Sequence, residues 1–153
     1  MRSAPYDAIA VGETATFGTY EFTAERIKAF ARQWDPQVFH VDEEAAKHTA
    51  FGGLCASGWH TCAVLMRLQV DHFAARARDG APFRFGPSPG FEDLKWIRPV
   101  YAGDRITFTG QVTDKRLSQS MPGMAIVTTA IAGINQDEKP VMSMTAHVFV
   151  LVG

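Results

Sequence analysis

Residues 54–70 read LCASGWHTCAVLMRLQV, and nearly every side chain in this stretch is apolar or small. Charged residues become frequent only further on, so the stretch predicts a long helix from Ala56 to about Arg76. A helix that is apolar almost all round is normally buried by other elements. The rest of the chain must therefore supply a surface that covers this helix.

The segment after the long helix is predicted to consist of strands and turns. Residues 79–90, DGAPFRFGPSPG, form a loop because of their density of glycine and proline. Beyond them, runs rich in β-branched and aromatic residues alternate with turn-forming residues. These runs predict four strands, at about 91–97, 105–115, 124–135 and 141–152.

The segment before the long helix predicts one strand, Thr14–Phe22, and two smaller helices, Ala24–Gln33 and Glu43–Lys47. The first of these helices must end before Pro36, and Asp42 is a suitable N-cap for the second. The chain lacks the alternation of strands and helices that a parallel sheet requires. We therefore expect an α+β fold in which an antiparallel sheet wraps around a long central helix, the hot-dog arrangement.

Length and composition set the outer bounds. The 153 residues are one domain's worth of chain, so residues 1–153 are expected to form a single domain. The net charge is -1 and no run of lysine or arginine occurs, which argues against nucleic acid and anionic membrane surfaces as partners. The sequence has neither a signal-peptide core nor an apolar stretch of about 18 residues, so we expect a cytoplasmic protein.

Asp35 and His40 are the first candidates for chemistry. They are five residues apart in a predicted loop whose other members, Val38, Phe39 and Val41, are more apolar than a solvent-facing turn requires. Partial burial moves the pKa of a carboxyl or imidazole group toward values useful for acid–base catalysis near neutral pH. The alternative is structural, with the aspartate capping a turn and the histidine filling a half-buried slot. The residues alone leave both interpretations open.

Two other kinds of site are disfavoured by spacing. A zinc or iron site could draw on four side chains, His40, Asp42, His48 and His60. A glycine-rich break separates the last two, and neither an HExxH helix nor a cysteine pair supports them. A serine hydrolase could use Ser57, but this sequence lacks the glycine that a nucleophile elbow places two residues before the serine.

The start of the long helix is a candidate oxyanion site. Ala56, Ser57 and Gly58 are small, so the backbone N–H groups of the first turn are open to a ligand. The positive end of the helix dipole lies behind them. If this point faces Asp35 and His40, acid–base groups stand next to donors that can hold the negative charge of a carbonyl oxygen.

Taken together, these residues resemble the signature of the MaoC-like dehydratases, the family that includes the (R)-specific enoyl-CoA hydratases. The family motif runs Asp-x-Asn-Pro-x-His-x-Asp, followed by an alanine, Phe-Gly and a glycine that opens the central helix. The matching positions here are Asp35, His40, Asp42, Ala46, Phe51, Gly52 and Gly58. Residues 94–107, LKWIRPVYAGDRIT, resemble a later strand of the family, and the likeness runs from about residue 11 to residue 150.

The resemblance implies a hot-dog domain that forms a homodimer and binds an acyl thioester, usually acyl-CoA, in a tunnel at the subunit interface. Asp35 and His40 would activate a water for addition to a trans-2-enoyl double bond. The N–H of Gly58 or of a neighbour would bind the thioester oxygen. Substrate contacts would come from Ser57 and four aromatic side chains, Trp34, Phe39, Phe51 and Trp59. The family's reaction needs no metal or redox cofactor.

The sequence departs from the family in the catalytic loop, where Gln37 and Val38 replace Asn-Pro and the proline moves to Pro36. Two other functions stay open. One is a hot-dog thioesterase, in which Asp35 would activate water against the carbonyl carbon. The other is a non-catalytic module that binds acyl-CoA or an acyl carrier.

Features outside the motif bear on the rest of the substrate. Arg84, Arg98 and Lys95 are candidates for binding the phosphates of CoA. The loop of residues 79–90, which carries Phe83 and Phe85, is expected to cover or flank the pocket.

Overall fold

The computed structural model of the protein describes residues 6–81 and 86–153. Within these ranges the chain forms five strands and four helices. In chain order they are β1 (Thr14–Glu21), α1 (Ala24–Trp34), α2 (Val38–Val41), α3 (Glu43–Ala46), α4 (Gly58–Arg78), β2 (Gly90–Trp96), β3 (Arg105–Leu117), β4 (Met124–Ile134) and β5 (Pro140–Leu151). The predicted loop residues Phe83, Arg84 and Phe85 lie outside the described residues.

The strands form one antiparallel sheet in the order β1-β3-β4-β5-β2, so that β1 and β2 are its edges. The register of β1 shifts between Thr16 and Gly18, a bulge that bends the strand. A Cβ on Gly18 would lie 3.2 Å from the side chain of Leu68, so the glycine lets α4 approach the sheet closely. The predicted α+β hot-dog architecture is confirmed.

The hydrophobic core lies between α4, α1 and the concave side of the sheet. Its largest members are 1% exposed or less, and they include Phe22, Ile27, Leu65, Ile106, Phe108 and Met142. The other side of α4 is open: Trp59 is 55% exposed, Met66 49% and Val70 41%. The expectation that α4 is buried on nearly every side is therefore wrong for the single chain, because the sheet covers only one face of the helix.

Helix boundaries differ from the prediction at two points that matter for function. Helix α4 begins at Gly58 rather than at Ala56, because the preceding residues are extended and Ala56 N–H donates to the carbonyl of Val100 at 2.8 Å. The short helix α2 occupies part of the predicted loop, so His40 lies in a helical turn. The N-cap predicted at Asp42 is confirmed, since its side chain accepts the Ala45 N–H at 3.0 Å.

In the part of the chain that the structure describes, no helix is both long enough and apolar enough to cross a membrane.

Candidate active site

Asp35 lies at the exit of α1, where the chain turns sharply. Its backbone carbonyl accepts the Gln37 N–H at 2.8 Å, which closes a three-residue turn centred on Pro36. The fixed φ of proline suits the central position of such a turn, and proline also prevents α1 from continuing. Pro36 therefore sets the direction in which the chain leaves Asp35.

Gln37 connects Asp35 to His40 in two ways. Its side-chain amide Nε2 donates to Asp35 Oδ1 at 2.7 Å. Its backbone is the N-cap of α2, and its carbonyl accepts the His40 N–H at 2.9 Å. The aspartate and the histidine are thus held by a continuous local structure.

His40 is 6% exposed and its ring is fixed at both nitrogens. Nδ1 lies 2.6 Å from the carbonyl oxygen of Cys55. A carbonyl only accepts hydrogen bonds, so Nδ1 carries a hydrogen and the neutral ring has its lone pair on Nε2. Nε2 lies 3.4 Å from Asp35 Oδ2. Two acceptors therefore converge at one point, which suits a water molecule that donates one hydrogen to each.

The surroundings of Asp35 favour its ionised form. Partial burial raises the pKa of this carboxyl, but the hydrogen bond from Gln37, the neighbouring Ser57 hydroxyl and the charge of a protonated His40 together hold the pKa below its ordinary value. Ser57 is 1% exposed, and its Oγ makes no hydrogen bond of ordinary geometry with any described residue. Asp35 is therefore a carboxylate at neutral pH and can accept protons but not supply them.

The first turn of α4 faces the same space. The backbone N–H groups of Gly58 and Trp59 donate to no acceptor among the residues that the structure describes. The indole of Trp96 covers Gly58 so closely that a Cβ there would lie 2.2 Å from the ring. Only glycine fits beneath Trp96, and its N–H stands at the positive end of a 21-residue helix.

A single cavity of about 520 Å³ collects most of the residues predicted from sequence. They are Asp35, Phe39, His40, Phe51, Ser57, Gly58 and Trp59. Arg98 also lines it, whereas Lys95 does not. Trp34 is not among the lining residues either, because it ends α1 with its side chain 69% exposed. The structure therefore joins seven of the eight predicted site residues and leaves Trp34 outside.

Sequence reasoning missed three contributors to this site. The carbonyl of Cys55 holds His40, the amide of Gln37 holds Asp35, and Trp96 covers Gly58. Nothing in the residue type of Cys55 signals the role of its backbone. A signal was present for Gln37, since an amide two residues from a candidate carboxylate can reach back to it.

The four candidate metal ligands do not converge. Asp42 caps α3, His48 is exposed at its end, and His60 is stacked on Phe30 with ring centroids 4.6 Å apart. Among residues 6–81 and 86–153, no group of three or more His, Cys, Asp or Glu side chains is placed to hold a metal ion. Burial lowers the pKa of His60 to about 4, with a contribution from Arg26, so this ring is a neutral part of the core.

Comparison with known proteins identifies relatives along most of the chain. A sequence model described as "MaoC like domain" matches residues 8–133. The crystal structure of the MaoC-like dehydratase from Rhodospirillum rubrum is 38% identical, with a TM-score of 0.81 over 95% of this chain and 94% of that one. The Bacillus subtilis (strain 168) protein YdeM, whose own function is uncharacterized, is 29% identical over 86% of this chain and 88% of its own length. The unliganded (R)-hydratase PhaJ1 from Pseudomonas aeruginosa, 23% identical over 99% of this chain and 88% of that one, shares the fold with a TM-score of 0.65.

Proposed function

Because the chain belongs to the MaoC-like domain family, we propose that it is a hydro-lyase that adds water reversibly to a trans-2-enoyl-CoA to give a 3-hydroxyacyl-CoA. The observation that carries the proposal is the convergence of His40 Nε2 and Asp35 Oδ2, 3.4 Å apart, in the cavity that also contains the free N–H of Gly58. These are the parts that acid–base chemistry beside a carbonyl group requires.

In the proposed hydration, Asp35 and His40 hold one water by its two hydrogens. The water oxygen forms a bond to the β-carbon while His40 Nε2 takes one of its protons. The π electrons of the double bond move toward the thioester oxygen, which gains enolate character. The thioester carbonyl then re-forms as the α-carbon takes the proton from His40, so the histidine ends the cycle neutral. Dehydration follows the same steps in reverse.

Each chemical role has support in the geometry. The Nδ1 hydrogen bond to the Cys55 carbonyl leaves Nε2 as the proton acceptor, and the Asp35 carboxylate stabilises the imidazolium that forms. The N–H of Gly58 is a preorganised donor for the enolate oxygen. Removing one such donor typically costs about 3 kcal/mol of transition-state stabilisation. The proposed reaction uses no metal or redox cofactor, so treatment with a chelator is expected to leave the rate unchanged.

The walls of the cavity support an acyl thioester as the substrate class. Phe39 and Phe51 pack with ring centroids 4.9 Å apart, and Trp59 meets Trp96 edge-on at 5.2 Å. These rings give the acyl group an apolar surface. Arg98, exposed on the wall and anchored to the Pro140 carbonyl at 2.9 Å, is positioned as a cation for the CoA phosphates.

We also propose a homodimer. The outer face of α4 exposes Trp59, Met66 and Val70, and the adjacent edge strand β2 exposes Trp96. A second copy that covers these side chains would remove a large apolar surface from water. Light scattering on the purified protein is expected to give twice the mass of the chain, and a monomer at micromolar concentration would contradict the proposal.

The hydratase assignment is tested with short trans-2-enoyl-CoA esters, whose conjugated enoyl absorbance disappears on hydration. The substitutions Asp35→Asn and His40→Ala are each expected to lower kcat by about 1,000-fold or more. His147→Ala is the matched control, since His147 is half-buried and paired with Thr128 at 3.0 Å outside the candidate site. Wild-type rates in either site variant would overturn the assigned roles.

Two further measurements, of thiol release and of CoA-ester binding, separate the two alternative functions. Release of free thiol from a saturated acyl-CoA, without loss of enoyl absorbance, would identify a thioesterase. Binding of CoA esters with neither reaction would identify a non-catalytic module.

A further inference from the structure

We propose that Gln37 is a positioning residue for the reaction, holding the Asp35 carboxylate by Oδ1 so that Oδ2 faces His40. The inference rests on the proposed function, because it concerns the same catalytic pair. It assigns a purpose to the Pro36–Gln37 segment, where the sequence departs from its family.

The geometry divides the two oxygens of Asp35 between two partners. Oδ1 accepts from Gln37 Nε2 at 2.7 Å, and Oδ2 lies 3.4 Å from His40 Nε2. A carboxylate rotates freely about its terminal torsion unless a partner fixes it. With Oδ1 occupied, the orientation that remains is the one in which Oδ2 and Nε2 share a water.

The backbone brings the Gln37 amide to this place. The turn centred on Pro36 folds Gln37 back over Asp35, with the Gln37 N–H donating to the Asp35 carbonyl at 2.8 Å. Gln37 then starts the helical turn that carries His40. The same residue therefore sets both the torsion of the carboxylate and the entry of the histidine.

The surroundings explain why an amide, and not a charged group, suits this position. Among the described residues, the titratable or charged groups that share the cavity with Asp35 are His40 on α2, Cys55 before α4 and Arg98 after β2. Burial raises the pKa of the Cys55 thiol to about 11, so this group is neutral. Donation from Gln37 lowers the pKa of Asp35 without adding a second charge that would compete for His40.

Gln37 is accessible to a clean test because it is exposed and fills no core space. Gln37→Met keeps the length of the side chain but removes the donor, and Gln37→Glu replaces the donor with a like charge. The matched control is Gln136→Met, because Gln136 Nε2 makes an equivalent bond to Asp104 Oδ1 at 2.9 Å outside the cavity.

In the hydration assay, Gln37→Met is expected to lower kcat about tenfold, the effect of losing roughly one hydrogen bond to a charged group. KM is expected to stay within about twofold, because the Gln37 amide donates to Asp35 Oδ1 and is not presented to the substrate. The acidic limb of the kcat/KM profile moves to higher pH, since the carboxylate loses a donor that favours its charged form. Gln37→Glu moves the limb further, and Gln136→Met leaves it in place. An unchanged limb in both Gln37 variants would overturn the inference.

A second measurement needs no substrate. The carboxyl carbon of Asp35, labelled with ¹³C and titrated by NMR, is expected to protonate at higher pH in Gln37→Met than in the wild type. If this shift occurs but the wild type hydrates no enoyl ester, the positioning role stands and the proposed function fails. If hydration occurs but the titration of Asp35 is the same in both proteins, the positioning role alone fails.

Discussion

The two ends of α4 border two different cavities. The cavity at the N-terminal end contains Asp35, His40 and the free N–H of Gly58. The cavity beneath the C-terminal half is smaller, about 120 Å³, and most of its wall consists of apolar side chains. These include Phe17, Met66, Phe73, Val112, Val127 and Val148.

The backbone explains much of this difference. An α-helix leaves its first N–H groups without partners, whereas N–H groups further along are bonded to carbonyls one turn back. A cavity at the start of a helix therefore contains donors and a positive field, and a cavity along its flank contains only what the side chains bring. The comparison predicts that changes to residues lining the first cavity alter activity or its pH dependence, and that changes to residues lining the second cavity alter stability alone.

His60 is the most informative residue for this comparison, because it lies in the first turn of α4 but its side chain faces the core and not the first cavity. Its pKa is lowered from 6.5 to about 4 by burial, with Arg26 contributing. Between these values the unfolded chain binds more protons than the folded one, so stability is complete above pH 6.5 and falls as the pH falls toward 4. At about 1.4 kcal/mol per pH unit, the loss amounts to about 3 kcal/mol.

Urea denaturation at several pH values between 7 and 4 measures this loss. His60→Phe keeps a ring against Phe30 and is expected to reduce the pH dependence in this window. His48→Gln, at an exposed position, is the control and should leave the dependence intact. If His60→Phe loses stability equally steeply as the pH falls, the loss arises from other titratable groups.

Gly58→Ala is expected to have the next largest effect. The added methyl would collide with the Trp96 indole, which must move together with the start of the helix. A displacement of about 1 Å at a reacting centre can cost about 100-fold in rate, equivalent to about 2.7 kcal/mol. The measurement is kcat/KM on an enoyl-CoA, with thermal stability recorded in parallel. Gly53→Ala is the matched control, because a Cβ there meets Tyr101 at an ordinary 3.8 Å; an equal loss in this variant would contradict the steric explanation.

Val127→Ala tests the other cavity. Val127 is 4% exposed in a small cluster with Ile9, Val112 and Val150, and its truncation enlarges the apolar space. We expect a loss of about 2 kcal/mol of unfolding free energy and no change in kcat/KM. Denaturant titration measures the first and the hydration assay the second. If Val127→Ala lowers activity at unchanged stability, the assignment of activity to the first cavity and stability to the second is wrong.

Ala146→Val is expected to have the smallest effect. Ala146 lies on β5 and lines the same apolar cavity, so two added methyl groups have space and a β-branched residue suits a strand. Stability is expected to rise by about 0.5 kcal/mol at unchanged activity. A melting-temperature series that includes Val127→Ala provides the comparison. Destabilisation by the larger residue would mean that the cavity cannot accept it.

Much of the fold could be predicted because each element has a local signal. Runs of β-branched and aromatic residues predict all five strands to within about two residues at each end, and Asp42 is recognisable as a cap. The catalytic candidates Asp35, His40 and Gly58 were found partly from residue chemistry and partly from the family resemblance. Their convergence depends on tertiary structure, which periodicity does not describe.

The remaining details could not be predicted for physical reasons. The extended segment before α4 pairs through its backbone with Val100 and Tyr101, more than 40 residues along the chain, and propensity does not report such pairing. An aromatic residue such as Trp34 suits a pocket, but the end of α1 turns this side chain toward solvent. The helical turn α2 comes directly after the Pro36 turn, and the sequence pattern predicts only a loop for both.

The proline turn also has a consequence for how the site assembles during folding. Asp35 and His40 are separated by only five residues, so bringing them together costs little loop-closure entropy. The Cys55 carbonyl that selects the tautomer of His40 lies 15 residues further on, and the donor at Gly58 follows it. Contacts of short sequence separation form early, and distant ones wait for the chain to condense. The Asp35–His40 pair can therefore take shape before the protein is folded, whereas the tautomer of His40 and the position of the free Gly58 N–H are set only when α4 docks on the sheet.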